Sequence, residues 1–212
     1  MKYICIRIEN ENSRMVQIVY DEIRENILAV AQGIFSRFGF KKTTMEDIAK
    51  AARKGKSTLY YYFKNKEEVF EAVVDYEAAI LAKKLQLIVD NEEIDPKEKL
   101  RQYILTRMKS FDELSNLYVT LKQDLLEQYA FVQKYRKKYD DLEISFIAKI
   151  LRQGNAGNIF NVKEENLDAV AFTLSMAMKG LEIPFFTENK YAELENRLDG
   201  LMDILFYGIV KK

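Results

Sequence analysis

The sequence predicts an all-α protein, and three observations carry that reading. Apolar residues recur at threes and fours along most of the chain, with little of the alternation that strands need. Only two prolines and eight glycines interrupt 212 residues, so long helices meet few breakers. The polar breaks are short, and several are followed at once by helix-start signals. Composition narrows the function classes. Cys5 is the single cysteine, which excludes an internal disulfide framework and fits a reducing cytoplasm. With no histidine there is no His-based metal site, no histidine triad and no imidazole switch. No apolar run approaches the ~18 residues of a membrane helix, and the N-terminus lacks a signal-peptide layout. The expectation is a soluble cytoplasmic protein with no membrane contact, no metal and no cofactor.

Met1 to Ser13 is the least readable stretch. Ile4, Ile6 and Ile8 alternate with polar residues like one short strand, but a lone strand has no partner in a helical chain. A disordered arm or an added helical turn is expected there, and Met15 leaves the true start site open. Val16 to Phe38 reads as the first helix, with Val16, Val19, Tyr20, Ile23, Ile27, Val30, Ile34, Phe35 and Phe38 on its stripe and Gly39 ending it.

Thr43 to Phe63 reads as two short helices joined by a tight turn. Thr43 or Thr44 caps the first, with Glu46 or Asp47 placed to complement its positive end. Met45, Ile48, Ala49 and Ala52 form its apolar face. Gly55 serves as N-cap for the second, where Leu59, Tyr62 and Phe63 share one face. Ser57 and Tyr61 point the opposite way, flanked by Thr58 and Tyr60. A greasy back and a front of hydroxyls and phenols suit insertion into a DNA major groove. The chain is neutral, with 33 basic and 33 acidic residues. Yet Lys41, Lys42, Lys50, Arg53, Lys54, Lys56, Lys64 and Lys66 crowd a window whose acids are Glu46 and Asp47. That is the footprint of phosphate contact. The plain alternative is a helical corner with a solvated basic surface.

The run Ala31-Gln32-Gly33-Ile34-Phe35-Ser36-Arg37-Phe38-Gly39-Phe40, the pair Thr43-Thr44, Ile48-Ala49-Lys50-Ala51, and Ser57-Thr58-Leu59-Tyr60-Tyr61-Tyr62-Phe63-Lys64-Asn65-Lys66 together resemble the DNA-binding domain of TetR-family transcriptional regulators. The resemblance runs without a gap from about Glu22 to Phe70. Many members carry Gly-Val in the turn where this chain has Arg53-Lys54. The resemblance implies a three-helix helix-turn-helix domain followed by a helical ligand-binding and dimerisation domain. It also implies a two-fold dimer through the last two helices and a small effector held between the helices of the second domain.

The rest of the chain fits that plan. A long helix starts at Lys64 or Asn65 and reaches about Val89. Asp95-Pro96-Lys97-Glu98 is an N-cap, a proline at the first position and a glutamate at the third. Further helices are expected at about Ser115–Gln128, Phe131–Arg152, Asn161–Gly180 and Glu188–Gly208. Gly154 to Asn158 reads as a loop, Asn161 with Glu164 as a capping box, and Pro184 as a stop. The small residues Ala171, Ser175, Ala177, Gly180 and Gly200 allow close helix approach. Carboxylates are spaced as helix surface, with no catalytic constellation, so the protein is read as a non-enzyme.

The domains are placed at 16–66 for DNA and 67–212 for effector and dimer, with 1–15 an extension. The expected function is a sequence-specific regulator, a repressor, which binds a palindromic double-stranded operator as a homodimer and is released by a small effector, apolar or aromatic in character. The alternative is a helical interaction or carrier protein without specific DNA binding. Candidates for base edges are Lys54, Lys56, Ser57, Thr58 and Tyr61; candidates for phosphates are Thr44, Tyr60, Tyr62 and Lys66. No effector-pocket residue, operator, regulated gene or sign of regulation is readable.

Overall fold

The computed structural model describes residues 2–6, 16–20, 22–115, 133–188 and 191–207. They fall into two compact units. One holds the described residues up to Glu77 together with 133–135; the other holds 78–115 and those from Arg136 onward.

The first unit opens with a correction. Val16–Tyr20 is a strand, β2, not the start of a helix, and it pairs antiparallel with β1, Lys2–Ile6. The register sets Lys2 opposite Tyr20 and Ile6 opposite Val16. The physical reason is local composition. The sequence VQIVY is β-branched and aromatic, a poor helix former, and it supplies the partner that Ile4 and Ile6 lacked. The disordered arm or helical turn expected at Met1 to Ser13 is likewise corrected at Lys2–Ile6, which is β1; residues 7–15 lie outside the described residues.

Helix α1 spans Glu22–Lys42 and breaks at Gly39, whose φ of 79° is open to glycine at no steric cost. Ile27, Leu28, Ala31 and Phe35 are buried, whereas Phe38 on the expected apolar stripe is half exposed. Helices α2 (Met45–Ala51), α3 (Lys56–Tyr62) and the first half of α4 (Lys66–Asp90) complete this unit. Phe70 meets Phe35 and Phe40 edge-on, with ring centroids 5.3 and 5.2 Å apart. Ile48, Leu59, Val69 and Val73 close the core around them.

The second unit takes α4 from Ala78, then α5 (Pro96–Ser115), α6 (Asp140–Ala156), α7 (Leu167–Glu188) and α8 (Tyr191–Tyr207). Asp95 caps α5 as expected, accepting from the Lys97 N–H at 2.8 Å. The helix expected at about Ser115–Gln128 lies outside the described residues beyond Ser115. The helix expected at Phe131–Arg152 is divided: a 3-10 turn at Lys137–Tyr139 precedes α6.

Three further expectations are corrected in this unit. Gly154 is helical rather than part of a loop. A Cβ there would run into the Phe160 ring, and its carbonyl accepts from the N–H groups of Ile159 and Phe160. Close packing, not turn conformation, requires this glycine. Asn161 and Glu164 do not open the next helix as a box. Glu164 begins a 3-10 turn and its carboxylate lies 3.4 Å from Arg152 Nε. Asn155 ties the segment instead, bonding both the N–H and the carbonyl of Val162. Finally, α7 passes through Pro184 to Glu188. An interior proline forfeits the bond to the carbonyl four residues back, at about 3 kcal/mol, so it weakens a helix but stops one only when nothing else holds it.

Polar side chains are buried in this core as well. Lys99, Arg107 and Ser175 are buried, as are the apolar or aromatic Leu100, Tyr103, Met108, Ile147 and Leu167 of the same unit. Arg107 Nε bonds Glu143 Oε2 at 2.8 Å, joining α5 to α6. Burial works against the Glu143 carboxylate, but Arg107, with Arg136 and Lys179 nearby, more than offsets that and holds the carboxyl below its usual range. Burial pushes the Tyr103 phenol well above its usual value.

Candidate nucleic-acid interface

Helix α2 is short, so its ends decide whether it forms. Thr44 is its N-cap: the hydroxyl accepts from the Asp47 N–H at 3.2 Å, and the Asp47 carboxylate accepts from the Thr44 N–H at 3.0 Å. Hydrogen bonds from the Thr44 hydroxyl and then its N–H hold the Asp47 carboxyl below the usual range. Thr43 turns inward instead, donating to the Gly39 carbonyl at 2.8 Å. Of the two threonines, then, Thr43 secures the end of α1 and Thr44 starts α2.

The turn after α2 is closed by Lys54 N–H on the Ala49 carbonyl at 3.0 Å. Arg53 takes a φ of 53°, the left-handed region that favours glycine. This is the position where TetR-like sequences carry glycine, so the turn keeps its path at some cost in backbone strain. Gly55 then serves as N-cap of α3 in extended conformation, without a side-chain bond.

Helix α3 is anchored by Leu59, fully buried, and by Phe63 at its C-cap, over which the Arg24 guanidinium sits 5.4 Å from the ring centroid. Opposite that anchor the helix is open. Tyr61 is 81% exposed and Tyr60 43%. Ser57 is exposed and Thr58 half-buried. The Tyr61 and Tyr62 rings meet edge to face at 5.1 Å, so each limits the other's rotation.

Lys56 begins α3 and is committed on two sides. Its ammonium pairs with Glu46 of α2 and lies 5.9 Å from the Tyr60 ring centroid. That hydrogen bond holds the Glu46 carboxyl below, and the Lys56 ammonium above, their ordinary values. No spacing rule in the sequence flags a pair ten residues apart across a turn. Lys66 is also engaged. It donates to the Phe40 carbonyl at 2.7 Å and lies 4.3 Å over the Phe40 ring, so α4 starts bonded to the end of α1. An ammonium has three protons, and the others stay available to an anion. The start of α4 is capped by Asn65, whose side chain accepts from the Glu68 N–H at 2.8 Å, while Glu68 accepts from the Lys64 N–H.

The nine sequence candidates thus lie on one continuous stretch from the start of α2 to the start of α4. Ser57, Tyr60 and Tyr61 face outward; Lys54, Thr58, Tyr62 and Lys66 are half-buried; Thr44 is exposed with its hydroxyl in the cap. No cluster of three or more metal-binding groups occurs among the described residues, and no helix among them is long and apolar enough to cross a membrane.

Comparison with known proteins agrees with this geometry. The family model described as bacterial regulatory proteins, tetR family, matches residues 27–73. The HTH-type transcriptional regulator QacR of Staphylococcus aureus is 26% identical over 198 residues, spanning 89% of this chain and 99% of that protein. The HTH-type transcriptional repressor KstR2 of Mycolicibacterium smegmatis is 30% identical over 145 residues, 65% of this chain and 67% of that protein. A crystal structure of a transcriptional regulator from Cytophaga hutchinsonii aligns with a TM-score of 0.73 at 26% identity, covering 88% of this chain and 97% of its own. The chain belongs to the TetR family, and it is a DNA-binding regulator of transcription with a helix-turn-helix at α2 and α3.

Proposed function

We propose that the chain is a homodimeric repressor that binds a palindromic operator and is released by a small effector. Residues 16–66 take the DNA role, residues 67–212 the effector and dimer roles, and 1–15 form an extension. The observation that carries the reading is the front of α3. A seven-residue helix holds Tyr61 and Ser57 out to solvent because Leu59 and Phe63 fix its back. Tyr61, Ser57, Thr58, Lys54 and Lys56 address base edges, with Lys56 first leaving Glu46. Thr44, Tyr60, Tyr62 and Lys66 address phosphates. One helix this short reads few base pairs; a two-fold pair doubles the contact and matches a palindrome.

The last two helices support a dimer. Phe172 and Leu181 on α7, with Ile204 and Tyr207 on α8, are large apolar side chains left exposed. A Cβ built on Gly180 or Gly200 meets nothing within 4 Å, which leaves room for a partner helix at each. Effector binding then shifts the balance by preferring the state that cannot bind DNA, on the scale of ~1–3 kcal/mol.

The test is binding of the purified protein to DNA upstream of its own coding region, against scrambled DNA, over a series of salt concentrations. A preference of about 10³ or more supports specific recognition. If neither that DNA nor a random-sequence selection yields a preferred site, the reading fails. Phe172→Asp, followed by light scattering, tests the dimer: a monomer is expected, and an unchanged mass refutes this interface.

A further inference from the structure

A cleft of about 770 Å³ opens between α1 and α2. Its apolar wall is Val30, Ile34 and Phe38, which follow one another at every fourth residue of α1 and so form a single ridge. The same cleft is lined by four cations, Arg37, Lys42, Lys50 and Arg53, and by one carboxylate, Asp47. Four charges against one leave a surplus of three positives. Asp47 is also occupied, since both the Thr44 hydroxyl and the Thr44 N–H donate to its carboxylate.

We infer that this cleft binds an amphiphilic organic anion, an apolar chain or ring ending in a carboxylate. Two physical features select that class. Val30 and Ile34 are half-buried, and the Phe38 ring, 47% exposed, lies 5.2 Å from the Arg37 guanidinium; what remains open on this ridge gains from covering by another apolar surface, which a phosphate backbone does not offer. The surplus of cations beside it favours an anion and disfavours a cationic amphiphile. Size argues against a protein partner. Eleven residues line the cleft, whereas a stable protein interface takes about 20–30 on each side. The volume falls within the range of small-molecule sites.

Occupancy of the cleft has a consequence for DNA binding. Lys50 and Arg53 lie at the end of α2 and in the turn leading into α3. A carboxylate held by them removes positive charge beside the DNA-facing surface. Ligand and DNA therefore weaken each other by the same factor. This second step rests on the DNA-binding reading; occupancy of the cleft does not.

Decanoate is a suitable probe, with decyltrimethylammonium as the charge-reversed control, both titrated calorimetrically into the full chain. Two variants localise the site without unsettling the fold. Phe38→Ser removes an exposed ring. Gly33→Leu fills the cleft from a position where a Cβ meets nothing within 4 Å, in a helix that gains from losing a glycine. Each variant should weaken one decanoate-binding event about tenfold or more and leave DNA affinity without ligand unchanged. Variants that titrate like the parent overturn the assignment. So does equal displacement by the cationic control, which marks plain adsorption of alkyl chains. Parent protein that binds decanoate at this site but no DNA would retain the site and discard the regulator reading.

Discussion

Lys66→Met separates two roles that one ammonium performs. In the structure Nζ donates to the Phe40 carbonyl at 2.7 Å and sits 4.3 Å over the Phe40 ring. A hydrogen bond with one charged member contributes about 1.5–3 kcal/mol when shielded. Lys66 is half-buried, so the lower part of that range applies. A cation over an aromatic face adds about 0.5–1 kcal/mol at a partly exposed site. Methionine keeps the aliphatic stem and much of its packing. A net loss of about 1–2 kcal/mol is therefore expected, read as a lower urea midpoint with unchanged slope. In DNA binding the same variant should lower affinity for all sequences alike and reduce the salt slope by about 0.9. The two readouts are independent. Unchanged stability would refute the claim that this lysine bonds the end of α1 to the start of α4. A full stability loss with an unchanged salt slope would remove it from the phosphate contacts and leave it purely structural.

Other substitutions probe the remaining steps. Arg53→Gly relieves a left-handed φ that costs an arginine about 1–2 kcal/mol, partly offset by the added freedom of the unfolded chain; a net gain of about 0.5 kcal/mol in thermal unfolding is expected, and a loss would show that Arg53 makes compensating contacts. Tyr61→Ala, at 81% exposure, should leave stability within about 0.5 kcal/mol yet relax selection at particular base pairs in a random-sequence experiment. Unchanged site selection would take Tyr61 off the reading face. Arg107→Leu leaves the Glu143 carboxylate buried without its main partner and should cost about 3–5 kcal/mol near pH 7. The pH dependence has a definite sign. The folded Glu143 carboxyl is held below its unfolded value, so its contribution is present above the unfolded glutamate value of about 4.3 and is lost as pH falls through the lower folded value. The penalty of Arg107→Leu should shrink over that acid window; a penalty independent of pH would show that packing, not charge, is lost.

What was legible in the sequence divides by kind of interaction. The DNA-facing unit is built from local rules. A threonine N-cap at 43 or 44, Gly55 before α3, and Leu59 and Phe63 on the buried face all follow from spacings of one to four residues; the structure decides for Thr44. Asp95 and Pro96 behaved in the same way at the start of α5. Nonlocal contacts were not readable. The pairing of β1 with β2 depends on two segments finding each other, and the helical spacing of Val16, Val19 and Tyr20 hid their β-branched character. Gly154 looked like a loop residue because sequence does not show that Phe160 folds back onto it. Lys99 and Arg107 flank Tyr103 at four residues on either side, on the face that carries the core. Two cations breaking an apolar stripe at that interval were a signal, and reading them as surface charge missed the polar joints they make.

Those joints bear on how α4 is held. Its first half belongs to one unit and its second half to the other, and within each unit a polar contact shielded at least in part from water holds it. In the first, Gln32 donates to Glu77 Oε1 at 2.6 Å. In the second, Lys99 Nζ donates to the Val89 carbonyl at 3.0 Å and to Gln153 Oε1 at 2.8 Å, while Gln153 Nε2 also reaches the Val89 carbonyl. Val89 lies in the last turn, where helix carbonyls have no intrahelical donor. A buried lysine gains little net stability over an apolar isostere, and burial holds its pKa below the ordinary value. What it supplies is direction. Apolar side chains pack nearly as well after a small slide, whereas a carbonyl shared by Lys99 and Gln153 is satisfied at one rotation and one height of the helix.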